Sequence, residues 1–145
     1  MQTLLPIIFI GIISGVAVGV QSPLASMITL RLGMLESIFI IHIGGAILVA
    51  IPLIFLGGGK LGEWRSLPWY ALLAGSMGLI VVGGVSFMIP RVGVATAITL
   101  IIAGQLIVSS VLDHYGLLGV EIRHLDAPRL LGLLIVFVGA WLTVR

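Results

Sequence analysis

The sequence contains no cysteine. That excludes disulfide staples, thiolate nucleophiles and any metal site built on Cys. Charge is nearly as scarce: 7 Lys+Arg and 5 Asp+Glu make up 8% of the 145 residues, against roughly 25% in an average soluble domain. So few charges cannot clothe the surface of a soluble fold of this size. No charged side chain precedes Arg31, so the N-terminus lacks the basic n-region of a secretory signal. The net charge of +2 comes from scattered basic residues, which excludes a nucleic-acid surface. Catalytic patterns are missing too. Asp113 and His114 are adjacent, and adjacent residues on a helix point apart. Gly57-Gly58-Gly59-Lys60 lacks the spacing and the following Ser/Thr of a phosphate loop. An enzyme is therefore not expected, and no cofactor is implied.

What the chain does have is apolar length. Hydrophobic residues make up 60% of it, and the mean hydropathy is +1.34. Residues 1–30, 37–59, 66–90, 92–112 and 130–144 carry no Asp, Glu, Lys or Arg. A helix needs about 20 apolar residues to cross a hydrocarbon core roughly 30 Å thick. The last stretch is short, but Arg129 and Arg145 at its ends can extend to the headgroups. The runs are too long and continuous for barrel strands, which alternate over about 10 residues. The expected fold is an all-α integral membrane protein with five transmembrane helices, roughly 4–30, 36–56, 67–88, 94–112 and 127–144. Pro23 and Pro52 are expected to kink the first two helices. Ser66 is a candidate N-cap for the third, with Pro68 in its first turn, and Asp126 is a candidate cap for the fifth. Pro90 to Gly93 reads as a tight turn, and Trp64, Trp69 and Tyr70 as an interfacial aromatic belt. Every connection is short, so 1–145 reads as a single five-helix domain.

A few polar groups interrupt the apolar spans. Gln105, Ser109 and Asp113 recur at every fourth position and share one helix face. Polar groups in a bilayer turn to the protein interior or a water-filled cavity. The stripe therefore lines a pathway or hydrogen-bonds to a neighbouring helix. Gln21, beside Ser22 and Pro23, lies near the carbonyl that Pro23 frees at Gly19. It is a ligand contact at a broken helix or part of a kink whose polar atoms satisfy one another. His42 lies about two turns into the second helix. An intramembrane His is a proton carrier or an interhelical hydrogen-bonding group. Glu36 reads as an interfacial residue near a helix N-terminus. Gly11, Gly15 and Gly19 form a small-residue stripe for close helix approach, within the chain or against a partner.

Several segments together resemble a known family. They are Ile89-Pro90-Arg91-Val92-Gly93, Ala103-Gly104-Gln105-Leu106, Leu112-Asp113-His114-Tyr115-Gly116-Leu117-Leu118-Gly119 and Arg129-Leu130-Leu131-Gly132, with Gly15 to Gln21 in the first helix. The chain resembles the YdcZ-like family, a five-helix bacterial branch of the drug/metabolite transporter superfamily. It departs from the family pattern at Ser22-Pro23-Leu24-Ala25, where an Asn is expected shortly after the Gln. The resemblance implies a multi-pass protein of the bacterial inner membrane with a transporter-like fold. Larger members of the superfamily look like two inverted five-helix repeats, so this chain would be half of a ten-helix inverted-repeat architecture. An antiparallel homodimer, or a paired homologous chain, would complete it around a small-molecule site near the midplane. Small multidrug resistance proteins, a cousin branch, use a carboxylate in their first helix, and residues 4–30 here contain none. Cavity contacts are expected from Gln21 and Gln105, with Ser109 and Asp113 along the path and His42 as a proton-linked group.

Charge placement bears on orientation independently. With five spans the termini lie on opposite sides of the bilayer. Lys60, Arg65, Arg123 and Arg129 fall on the N-terminal side, and Arg31, Arg91 and Arg145 on the other. Orientation follows a clear Lys/Arg excess, and four against three is almost none. Insertion in both orientations is the expected outcome, with a slight lean toward a cytoplasmic N-terminus. Two separate fusions at Arg145, one to a reporter active only in the cytoplasm and one to a reporter active only outside, should show comparable activity. Activity from one alone would mean a single orientation.

Overall fold

The computed structural model describes residues 4–145. Five helices are long and apolar enough to cross a membrane, and no strand occurs among the described residues. They are α1 (Leu4–Leu32), α2 (Met34–Phe55), α3 (Ala74–Val92), α4 (Val94–Tyr115) and α5 (Ala127–Val144). A helix satisfies its own backbone groups, which is why helices are what an apolar chain forms in lipid. At 1.5 Å per residue, α5 spans about 27 Å and α1 about 44 Å, so α5 just crosses the core and α1 exceeds it.

The third span begins differently from the sequence expectation. Pro68 is extended, Trp69–Leu73 forms a short 3₁₀ turn, and the α-helix starts only at Ala74. Ser66 does not cap it; its hydroxyl donates to the Glu63 carbonyl inside a preceding 3₁₀ turn, Leu61–Ser66. The residue before a proline is held out of the α region, which separates the two turns. Trp69 and Tyr70 pack edge to face, with ring centroids 6.2 Å apart, and the apolar span as a whole runs Trp69–Val92. The expected turn at Pro90 also shifts. Pro90, Arg91 and Val92 belong to the last turn of α3, and the break falls at Gly93 alone.

Single glycines join two of the helix pairs. Gly33 (φ 117°, ψ 164°) separates α1 from α2, and Gly93 (φ 82°, ψ 166°) separates α3 from α4. Side-chain-bearing residues avoid this conformation. At Gly33 a Cβ would also run into the Glu36 carboxylate, which folds back over the joint from the first turn of α2. A shift of 60 residues carries Gly33 onto Gly93, Arg31 onto Arg91, and the α1–α2 boundary onto the α3–α4 boundary. The same shift carries buried Ala25, Ser26 and Ser37 onto buried Val85, Ser86 and Ala97. The chain from α1 to α2 and the chain from α3 to α4 thus repeat one pattern of joint and buried positions.

The chain forms two compact units, one ending at Pro90 and the other Arg91–Arg145, the division falling in the last turn of α3. In the first unit α1 packs on α2 through small side chains. The Ser37 hydroxyl, fully buried, donates to the Ala25 carbonyl at 3.0 Å. The Ser22 hydroxyl turns back to the Val18 carbonyl. Met34, Ile38 and His42, spaced by four on α2, lie against Gly83 and Gly78 of α3. In the second unit α4 and α5 run antiparallel, and the Thr96 hydroxyl reaches the Thr143 carbonyl at 3.1 Å. Ala97, Ala103 and Ala140 are buried, while Leu, Ile, Val and Phe dominate the exposed surface. This inverts the soluble pattern. Lipid tails are as apolar as leucine, so close approach of backbones, rather than burial of large side chains, holds the helices together.

Overpacking this interface should therefore cost more than trimming the outside. Ala25→Leu is expected to lose about 1–3 kcal/mol, and Leu48→Ala, on the exposed face of α2, to stay within about 0.5 kcal/mol. Unfolding of the purified protein in mixed micelles measures both.

Candidate transport groove

The end of α4 and the start of α5 are tied by the segment between them. Arg123 donates its amide to the Asp113 carbonyl at 2.8 Å. The Leu125 amide donates to Nδ1 of His114 at 3.2 Å. A guanidinium nitrogen of Arg129 reaches back to the Arg123 carbonyl at 3.2 Å. Asp126 caps α5 as the sequence suggested: its carboxylate accepts the Arg129 amide at 2.9 Å, with Pro128 in the first turn. The His114 ring stacks edge to face on Tyr115 and His124, with centroids 4.8 and 5.3 Å away. These contacts fold the polar loop onto the helix ends, and they turn His114 toward the loop while Asp113 faces elsewhere.

Asp113 faces a groove of about 460 Å³ between α4 and α5. Ser109, Leu106, Leu133 and Arg129 also line it. The Asp113 side chain is half-buried. Among the described residues no ion pair joins Asp113 to Arg129, although both line the same cavity. Opposite charges at the edge of an apolar region attract strongly at short range. Held apart, they leave room for a third polar group between them. The neighbouring Ser110 hydroxyl is consumed on its own helix, on the Leu106 carbonyl.

The candidate residues distribute unevenly. Ser109 and Asp113 come together in this groove, as their spacing implied. Gln105, one turn further along α4, is exposed and does not line it. Gln21 and His42 belong to the first unit. The Gln21 side chain is exposed and makes no hydrogen bond among the described residues; Ser22 beside it is buried and bonded to Val18. The pair therefore does not form the joint hydrogen-bonding spot that their adjacency suggested, because neighbours on a helix point about 100° apart. His42 is half-buried, with Nδ1 2.8 Å from the Ile38 carbonyl of its own helix. Arg129 was not legible as a groove residue. The only signal was its position, one turn into the helix that returns beside Asp113.

Five helices long and apolar enough to cross a membrane make a multi-pass membrane protein, and a largely apolar groove carrying Ser109, Asp113 and Arg129 lies between two of them. Residues 6–142 match the family described as "Putative inner membrane exporter, YdcZ". The chain belongs to that family. It is similar to the inner membrane protein YdcZ of Escherichia coli (strain K12), with 31% identity over 137 residues, covering 92% of this chain and 91% of that one. No solved structure matches at a significant level. The family and the five spans make the chain a multi-pass protein of the inner membrane, and the family's kind of function is export rather than catalysis.

Removing the cap should loosen the groove wall. Asp126→Ala is expected to cost about 0.5–2 kcal/mol and to raise amide hydrogen exchange at Arg129, whose amide the Asp126 carboxylate holds; the Leu130 amide donates to the Asp126 main-chain carbonyl, which alanine keeps. Unchanged exchange at Arg129 would remove the cap from the account.

Proposed function

We propose that the chain is half of a small-molecule exporter, which completes itself as an antiparallel homodimer and works by alternating access. The observation that carries this reading is the α4–α5 groove, where Asp113 and Arg129 line one cavity without pairing. Unpaired opposite charges beside lipid are costly, and a polar solute that bridges them offsets that cost. Ser109 adds a hydroxyl to the same groove, and Gln105 continues the polar face one turn further along α4. Gln21 and His42 are the corresponding polar groups on α1 and α2. The near balance of Lys/Arg on the two sides supports dual insertion. A partner also fits the glycine stripe of α1: a Cβ at Gly11, Gly15 or Gly19 would meet nothing within 4 Å among the described residues. The lipid bilayer and a second copy of the chain are then its partners, with a paired homologous chain as the alternative.

The same stripe gives a competing reading some weight, that of a membrane subunit which packs on a partner and transports nothing. Thermal stabilisation of the purified protein against a panel of small polar and zwitterionic solutes separates the two. On the transport reading some solute raises Tm, and Asp113→Asn and Gln105→Leu each weaken that rise at least ten-fold in solute concentration while the protein stays folded and dimeric. On the packing reading no solute acts, and Gln105→Leu lowers assembly or stability instead.

A further inference from the structure

His42 lies about 12 Å along α2 from Met34, inside the hydrocarbon core. The Nδ1 to Ile38 carbonyl distance of 2.8 Å fixes its tautomer. A carbonyl oxygen only accepts, so Nδ1 carries a hydrogen, and in the neutral ring Nε2 then carries the lone pair. Nε2 lies against Gly78 of α3: a methyl group there would stand 2.7 Å from it, and 3.6 and 3.8 Å from the adjoining ring carbons. Among the described residues Nε2 has no hydrogen-bond donor. Glycine at position 78 is what lets the ring approach the α3 backbone.

Among the described residues of α1, α2 and α3, no ionisable group meets the ring at its own depth. On α2 the nearest is Glu36, six residues earlier, whose carboxylate folds over Gly33. On α3, the helix packed against the ring, nothing ionisable lies between Ala74 and Pro90, and Arg91 stands at the far end. On α1, which packs on α2, residues 4–30 carry none and Arg31 closes the helix.

We propose that Nε2 of His42 is a proton-binding site, and that its role as the coupling site of the transport cycle rests on the export reading. The step is simple: one proton adds to the Nε2 lone pair, the Nδ1–H bond to Ile38 stays, and one positive charge appears. The neutral ring suits a dry seam against Gly78. The imidazolium has a second N–H and a charge to solvate, and a bare glycine backbone offers neither acceptor nor water. Protonation therefore favours an arrangement in which α2 and α3 separate enough to hydrate the ring, and deprotonation favours the closed seam. Two states of one helix pair, biased by a proton, are what coupling requires.

The test follows the proton itself. The full chain, labelled with ¹⁵N-histidine and held in lipid nanodiscs, is titrated between pH 5 and 8.5, and the His42 signals are those that disappear in His42→Gln. The expected result is an Nδ1–H tautomer at high pH that converts reversibly to imidazolium within the range, with a midpoint that moves in Gly78→Ala because the new methyl displaces the ring. A ring that stays neutral throughout, or that carries its hydrogen on Nε2, overturns the proposal. Wild type alone decides this if Gly78→Ala fails to fold. Neither result depends on a solute, so the export reading can fail its own screen while the proton site stands. A stabilising solute from that screen should shift the midpoint by about 0.7 unit or more, the five-fold lower end of typical coupling; a midpoint it leaves unmoved overturns the coupling role.

Discussion

In hydrocarbon every backbone amide must find its partner inside the chain, and nearly everything else in this protein follows from that. It makes helices the only economical form for 60% apolar sequence. Irregular backbone is short: the segment between α2 and α3, whose last 3₁₀ turn opens the third span, and the segment after α4. Hydrocarbon also removes the usual driving force for association, since a leucine side chain gains nothing by leaving lipid for protein. What remains is close contact between backbones, and the interfaces are accordingly built from Ala, Ser and Gly: Ala25 with Ser37, Gly78 and Gly83 under the α2 side chains, Ala97 and Ala140 in the second unit.

Where polar groups do enter the spans, most are absorbed locally. Ser22, Ser110 and Thr99 return their hydroxyls to carbonyls four residues back. Those not absorbed in this way mark the functional candidates. The Asp113 carboxylate faces a groove that Arg129 also lines, with no ion pair between them among the described residues, and the His42 lone pair faces a glycine. One sits near a helix end, where a solute can arrive from water. The other sits deep, where a charge is tolerated only if the surroundings change. On the proposed reading the first meets the solute and the second the proton.

The architecture was legible because charge-free length is a one-dimensional signal. Five spans, the class of the fold, the extent of α5 and the Asp126 cap can be read directly from spacing. The start of α3 could not, because Ser66 and Pro68 suit a cap and a first turn equally well when seen in isolation. Only the geometry of two consecutive 3₁₀ turns shows that the chain is still turning there. The i, i+4 logic that joined Ser109 to Asp113 held for the pair in the groove and stopped short of Gln105, one turn on. It said nothing of Arg129, which belongs to another helix, or of Gly78, whose part depends on a ring reaching it from α2. The 60-residue correspondence escaped notice for a related reason: few identities carry it, and what repeats is which positions are small and buried.

The single-residue joint at Gly33 has a consequence for biogenesis. A helix followed after one residue by its antiparallel neighbour cannot settle in the bilayer alone and wait, since the ribosome delivers the second span before the first has a free connection to extend. The unit of insertion at this end of the chain is then the α1–α2 hairpin. That hairpin carries one arginine at its bend, Arg31. Lys60 and Arg65 emerge only later, so a single guanidinium is the first basic side chain to bear on orientation.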